Sequence, residues 1–148
     1  MPNSSTLCLD ANLVIALVTA ERFSPLALAW WTRVTLEEKE VCAPSLLRYE
    51  VTAALYRKAL HGPLSWEDAR LALEQALQLD IAYLQPSGLA TRAFELAAQF
   101  NLPTTYDAHY LALAEHLACP LWTADERFFN GVKAAFPLIR WLGDFKGE

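Results

Sequence analysis

The sequence predicts an α/β protein with a parallel sheet and helices on both faces. Three observations carry this. Short β-like runs alternate with long helical stretches along the whole chain. The chain has 148 residues, enough for one sizeable core. Hydrophobic residues are 54% of it, which excludes a disordered chain. In sheets of this kind, sites gather at the carboxyl ends of the strands.

"TLCL" at residues 6–9 predicts the first strand, closed by Asp10. Residues 11–20 predict a helix. "SPLALAWWTRVTLEEKE" predicts a second, with Ser24 as N-cap and Pro25 at the first helical position. "VCAP" is the second strand. Pro44 and Ser45 open the helix that contains "LLRYEVTAAL", which has no internal Gly or Pro. That helix stops at His61-Gly62-Pro63, with Gly just past its end and Pro beyond; His61 there suits the helix dipole. "SWEDARLALEQALQL" follows, with Ser65 as cap and Asp68 near capping-box spacing. "IAYL" is the third strand. Residues 87–100 and 106–117 predict two helices, the first ended by Asn101. "PLWT", a short helix at 126–135 and "LIRWL" bring the strands to five. No linker, repeat or low-complexity segment interrupts the pattern, so residues 1–148 are expected to form one domain.

No apolar run reaches the roughly 18 residues of a membrane span. The opening "MPNSST" lacks the basic start of a secretory signal. A soluble, cytoplasmic protein is expected, with no membrane partner. Cys8, Cys42 and Cys119 are an odd, scattered set without a C-x-x-C, which predicts buried free thiols and not a disulfide framework or a zinc knuckle. The tryptophans, Trp30, Trp31, Trp66, Trp122 and Trp141, predict core or dimer contacts before base stacking. A formal net charge of −5 argues against a protein that coats nucleic acid by bulk positive charge. It does not exclude a nuclease whose carboxylates surround cations.

Four acidic residues stand out. Asp10 ends a strand and precedes a helix, where it can act as an N-cap. Asp125 in "LWTADERFF" can do the same, with Thr123 and Glu126 offering a capping box. Asp107 in "TTYDAHYLALAE" has box spacing with Thr104, yet Tyr110, Leu111 and Ala114 carry its stripe into the core. Glu50 is mid-helix, so no cap explains it. Leu46, Leu47, Ala53 and Ala54 share its face, which leaves a carboxylate on an apolar stripe. A structural ion pair with an Arg from another helix is one explanation. The other is a shared site: a hard divalent cation would resolve the repulsion of converging carboxylates. Capping and metal binding are compatible, because a carboxylate has more than one acceptor lone pair.

The order "LCLDANLVIAL", "APSLLRYEVTAAL", "TYDAHYLALAE", "PLWTADERF" resembles the PIN-domain family, and within it the small VapC-type ribonuclease toxins. The resemblance runs from about Leu7 to Trp141. It implies a three-layer α/β/α domain around a parallel sheet of about five strands. It implies that Asp10, Glu50, Asp107 and Asp125 form a catalytic, metal-holding cluster, supported by Asn12 and Thr123. The implied cofactor is one or two Mg²⁺ or Mn²⁺ ions. The implied reaction is hydrolysis of RNA to 5′-phosphate and 3′-hydroxyl ends, and the implied partners are RNA, an antitoxin and a second copy of the chain. Removing Glu50 is then expected to relieve repulsion and stabilise the metal-free fold.

Arg57, Lys58 and Arg127, with Arg48 beyond, are candidates for RNA phosphate contacts, which position a strand without specifying it. A transition-metal site on His109 and His116 is disfavoured. A PIN nuclease of RNA processing without an antitoxin, and a non-catalytic PIN-fold interaction module, are the alternatives; the complete quartet argues against the second. A phosphatase lacks support, since there is no D-x-D motif and no Gly-rich phosphate loop.

Overall fold

All four residues of the first strand, β1 (Thr6–Leu9), are buried. A strand apolar on both faces belongs inside a parallel sheet. The computed structural model, which describes residues 5–147, places it there. β2 (Glu40–Pro44), β3 (Ala82–Leu84), β4 (Leu121–Thr123) and β5 (Ile139–Trp141) complete an all-parallel sheet of order β3-β2-β1-β4-β5. The expected five strands are present, although the last three have only three residues each.

The chain first steps outward from β1 to β2 and β3. It then returns to the other side of β1 to lay down β4 and β5. The winding reverses between β1 and β4, and at such a switch point the loops leaving the two strands part and open a crevice. Asp10 leaves β1 there, its N–H donating to the Trp122 carbonyl at 3.2 Å.

Among the described residues, seven helices surround the sheet: α1 (Ala11–Val18), α2 (Ser24–Leu36), α3 (Leu46–His61), α4 (Trp66–Gln78), α5 (Leu89–Gln99), α6 (Tyr106–Leu117) and α7 (Glu126–Val132). α6 is the most deeply set, with Ala108 and all of residues 110–114 buried. It packs on β1, β2 and β4. α3 packs against α1 and α4, turning Leu47, Val51 and Leu55 inward. Gly62 ends it at φ 133°, a conformation L side chains rarely adopt, and donates its N–H to the Lys58 carbonyl.

Several local expectations change. Ser24 is not an N-cap, because α2 already begins at it. Its hydroxyl instead accepts the Glu21 N–H at 2.9 Å and donates to the Thr19 carbonyl at 2.5 Å, fastening the α1–α2 turn. α2 ends at Leu36, short of the charged "EEKE", and Glu38 leaves it at φ 54°. Pro44 closes β2 and does not open α3. α1 stops at Val18, where the Thr19 N–H and hydroxyl both return to the Ile15 carbonyl. Ser65 caps α4 as expected, accepting the Asp68 N–H at 3.0 Å. α5 starts at Leu89, after Gly88 at φ 83°, and Asn101 at φ 53° follows it.

The three cysteines are buried and free, with the Cys8 and Cys119 sulfurs 3.6 Å apart. Trp30 is buried against Trp31 and Trp122, and Trp141 packs on Phe23 and Phe129. Trp66 is exposed and leans on Tyr56. Among the described residues, no helix is long and apolar enough to cross a membrane.

Candidate active site

Asp10 sits where β1 gives way to α1. Its Oδ1 accepts the Leu13 N–H at 3.1 Å, so it is an N-cap. Only 2% of the residue is exposed, and Oδ2 is buried with no hydrogen-bond partner among the described residues. A buried carboxylate oxygen without a partner is costly. One oxygen explains the helix start; the other is left for something else.

Asp125 follows β4 and also caps, accepting the Phe128 N–H at 3.1 Å. The buried Thr123 hydroxyl accepts the Asp125 N–H at 3.0 Å and fixes the turn. Asp107 behaves differently. Its expected box with Thr104 does not form: Thr105 takes the N-cap position without a side-chain bond, and the Thr104 hydroxyl accepts from Tyr106 N–H. The Asp107 carboxylate is therefore not used as a cap.

Glu50 has a partner that sequence reasoning missed. The hydroxyl of Tyr110, a residue only 1% exposed, donates to Glu50 Oε1 at 2.6 Å. No arginine pairs with it among the described residues. The signal was present in Tyr110, an aromatic with a polar tip on a stripe that is otherwise core. The stripe around Glu50 also differs from expectation. Leu47 is buried and Leu46 and Ala54 half-buried, but Ala53 is exposed. Glu50 is half-buried and opens onto a cavity.

That cavity, about 460 Å³, is lined by Asp10, Asn12, Glu50, Arg57, Tyr106 and Asp107, among others. Asp125 is not in its lining but is close enough to act on both Asp10 and Asp107. Burial pushes the Asp10 carboxyl up to about 7; the Thr123 hydroxyl and the Leu13 N–H pull it back, and Asp107 and Asp125 raise it further. Burial, then Glu50 and Asp125, push Asp107 up to about 6. Tyr110 is also raised, by burial and by the Glu50 charge. The four acidic groups thus share one field of mutual repulsion.

The predicted cations separate. Arg57 is exposed and lines the cavity. Lys58 faces away, 3.8 Å from Glu21. The Arg48 guanidinium lies over the Tyr83 ring, and Arg127 is exposed outside the lining. His109 Nδ1 is engaged 2.6 Å from the Thr105 carbonyl.

Among the described residues, no three His, Cys, Asp or Glu side chains stand close enough to enclose an ion between them. Mg²⁺ does not need such a cage, because it is commonly held by one or two carboxylates and completed by water and phosphate. The unpartnered Asp10 oxygen and the unused Asp107 carboxylate have that chemistry. A soft metal would find no exposed thiol, since all three are buried.

The PIN domain family matches residues 7–133, which take in all seven helices and every strand but β5 and the first residue of β1. The chain belongs to the PIN-domain family. Within it the chain is of the VapC type. Ribonuclease VapC1 of Mycobacterium tuberculosis is 37% identical over 134 residues, covering 88% of this chain and 96% of the relative. Ribonuclease VapC9 of the same species is 33% identical over 106 residues, covering 72% of this chain and 81% of the relative. The crystal structure of PAE2754 from Pyrobaculum aerophilum shares the fold, with a TM-score of 0.67 at 23% identity over 93% of this chain and 91% of the other. The expected PIN-like α/β architecture is therefore the observed one.

Proposed function

We propose that this PIN domain is a divalent-metal-dependent endoribonuclease, the toxin of a toxin–antitoxin pair. The observation that carries the proposal is the unpartnered Asp10 Oδ2, buried beside other acids at the switch point of the sheet. The cap at Leu13 uses only Oδ1, and a cation would supply the partner that Oδ2 lacks. The relatives' names, VapC ribonucleases, support the RNA substrate and the antitoxin.

Asp10 and Asp107 would hold the ion, Mg²⁺ or Mn²⁺, with Glu50 and Asp125 completing its surroundings. When bound, it supplies Lewis-acid polarisation of the scissile phosphate and activation of a water. The chain's own residues do the rest. The Leu13 N–H fixes Asp10 Oδ1 and so orients Oδ2. Tyr110 holds Glu50 toward the cavity by its hydroxyl. Asp125, held by two bonds of its turn, adds negative charge that favours a cation. Thr123 acts on the charge of Asp10 from its buried position. Asn12 offers an amide at the rim, and Arg57 is placed to bind a flanking phosphate. The antitoxin would cover this mouth and neutralise its acids, and a homodimer would set two such mouths in one particle.

The test is cleavage of RNA by purified protein in Mg²⁺ or Mn²⁺, against the same protein in chelator. Internal cuts leaving 5′-phosphate and 3′-hydroxyl ends, and lost in chelator, are expected. Intact RNA in both metals, from a protein shown to be folded and free of antitoxin, would refute the proposal.

A further inference from the structure

Each helical carboxylate of the cavity follows a tyrosine: Tyr49 precedes Glu50, and Tyr106 precedes Asp107. Both rings line the cavity. They are 71% and 54% exposed, whereas Tyr110 in the same lining is 1% exposed. Among the described residues, no aromatic ring or cation packs on either exposed ring. Folding thus gives no account of them, since a tyrosine stabilises a protein chiefly by burying its apolar body.

Tyr49, Ala53 and Arg57 are spaced by four, so they form a row on one face of α3. All three are exposed and all three line the cavity. The row covers about 12 Å of helix at ~1.5 Å per residue. It presents a ring, then a gap over a small methyl, then a guanidinium. Tyr106 presents a second ring from the first turn of α6. A ring with free faces takes a base, a guanidinium takes a phosphate, and the gap leaves room for a sugar.

We propose that Tyr49 and Tyr106 are base-stacking platforms which, with Arg57, select unpaired RNA for the acidic cavity. The proposal rests on the ribonuclease reading and adds the residues that grip the bases of the strand. In a duplex the base faces are covered by their neighbours, so such platforms have nothing to grip; single strands and loops offer splayed bases. Stacking is sequence-tolerant, because every base has a π-face.

Binding separates this from the catalytic reading. The probe is a fluorescein-labelled 12-nucleotide single-stranded RNA, compared with the same sequence as a duplex. The protein is Asp10→Asn in Mg²⁺, with Tyr49→Ala, Tyr106→Ala and the two Phe variants added singly. Tighter binding of the single strand is expected. Each Ala change should weaken it roughly 5- to 100-fold, the range for losing one stacked base. Each Phe change should stay within about twofold, because the ring face remains. Duplex binding should not move. Equal loss for both RNAs, no loss with Ala, loss with Phe as large as with Ala, or no RNA binding by the parent would each overturn the stacking role. A change of sedimentation mass in the Ala variants would assign the rings to self-association and overturn it too. Failure of wild-type protein to cleave RNA would instead strike the ribonuclease reading, and the binding comparison would still decide the platforms.

Discussion

The Tyr110 hydroxyl donates to Glu50 Oε1 at 2.6 Å, joining α6 to α3 across 60 residues of sequence. Tyr110 is part of the core and Glu50 part of the cavity, so the bond is where the packed interior hands a carboxylate to the site. It also reverses an expectation. Glu50→Ala does relieve repulsion with Asp107, but it strips a buried hydroxyl of its acceptor, which costs about 1–3 kcal/mol. Glu50→Ala should therefore lower the thermal midpoint of the metal-free protein. Glu50→Gln keeps an acceptor oxygen and removes the charge, so it should melt at or above wild type. Calorimetry of both in chelator checks this.

Tyr110→Phe should cost about 1 kcal/mol, the net worth of an ordinary hydrogen bond. It should also slow RNA cleavage, because Glu50 loses its tether while every carboxylate remains. Glu50→Ala differs in kind, since it removes the charge itself. A Tyr110→Phe protein with unchanged turnover would show that the bond has no positioning role.

The metal-free protein should become less stable as pH rises from about 4 to about 7. Asp10 and Asp107 have folded-state values raised to about 7 and about 6, above the usual carboxylate range. Between the unfolded and folded values, the folded state binds more protons than the unfolded state. Stability then falls with pH through that window. Asp10→Asn retains the cap and should flatten most of the slope, gaining about 1–3 kcal/mol at pH 7.5. Denaturant titrations from pH 4 to 8 in chelator measure it.

Divalent ions should oppose the same slope. A ligand at 100 times its Kd stabilises by about 2.7 kcal/mol, and its affinity should rise with pH as the two carboxyls ionise. Melting curves in Mg²⁺ and Mn²⁺ at pH 5.5 and 7.5 should show a larger upward shift at the higher pH. Asp10→Asn and Asp107→Asn should lose that shift.

Arg57 and Lys58 are neighbours in sequence and not in function. Arg57 lines the cavity, whereas Lys58 faces Glu21. Arg57→Ala should weaken RNA binding and lower its salt dependence, since one phosphate contact contributes about one unit of slope. Lys58→Ala should leave both unchanged. Binding across a salt series distinguishes the two.

Local chemistry made much of this molecule legible. β1, α3 and α6 follow from apolar runs, a Gly-Pro stop and an unbroken helical stripe, and the structure gives α6 its expected bounds. Asp10 and Asp125 were legible as caps because capping is a contact over three residues. The Tyr110–Glu50 bond was not, because it depends on how α6 and α3 meet across the sheet. Ser24 misled for a related reason: its hydroxyl bonds backward into the α1–α2 turn instead of forward along α2. Helix periodicity put Arg57 and Lys58 on adjacent faces, and tertiary packing decided which of those faces opens on the cavity.

RNA cleavage by wild type, Asp10→Asn and Asp107→Asn, prepared side by side and assayed in Mg²⁺, tests most directly whether the acidic cavity is a metal-dependent nuclease site. Losses of at least about 100-fold in both variants, with folds intact by circular dichroism, are the predicted result. Cleavage by either variant at the wild-type rate, or wild-type cleavage that persists unchanged in chelator, would contradict it.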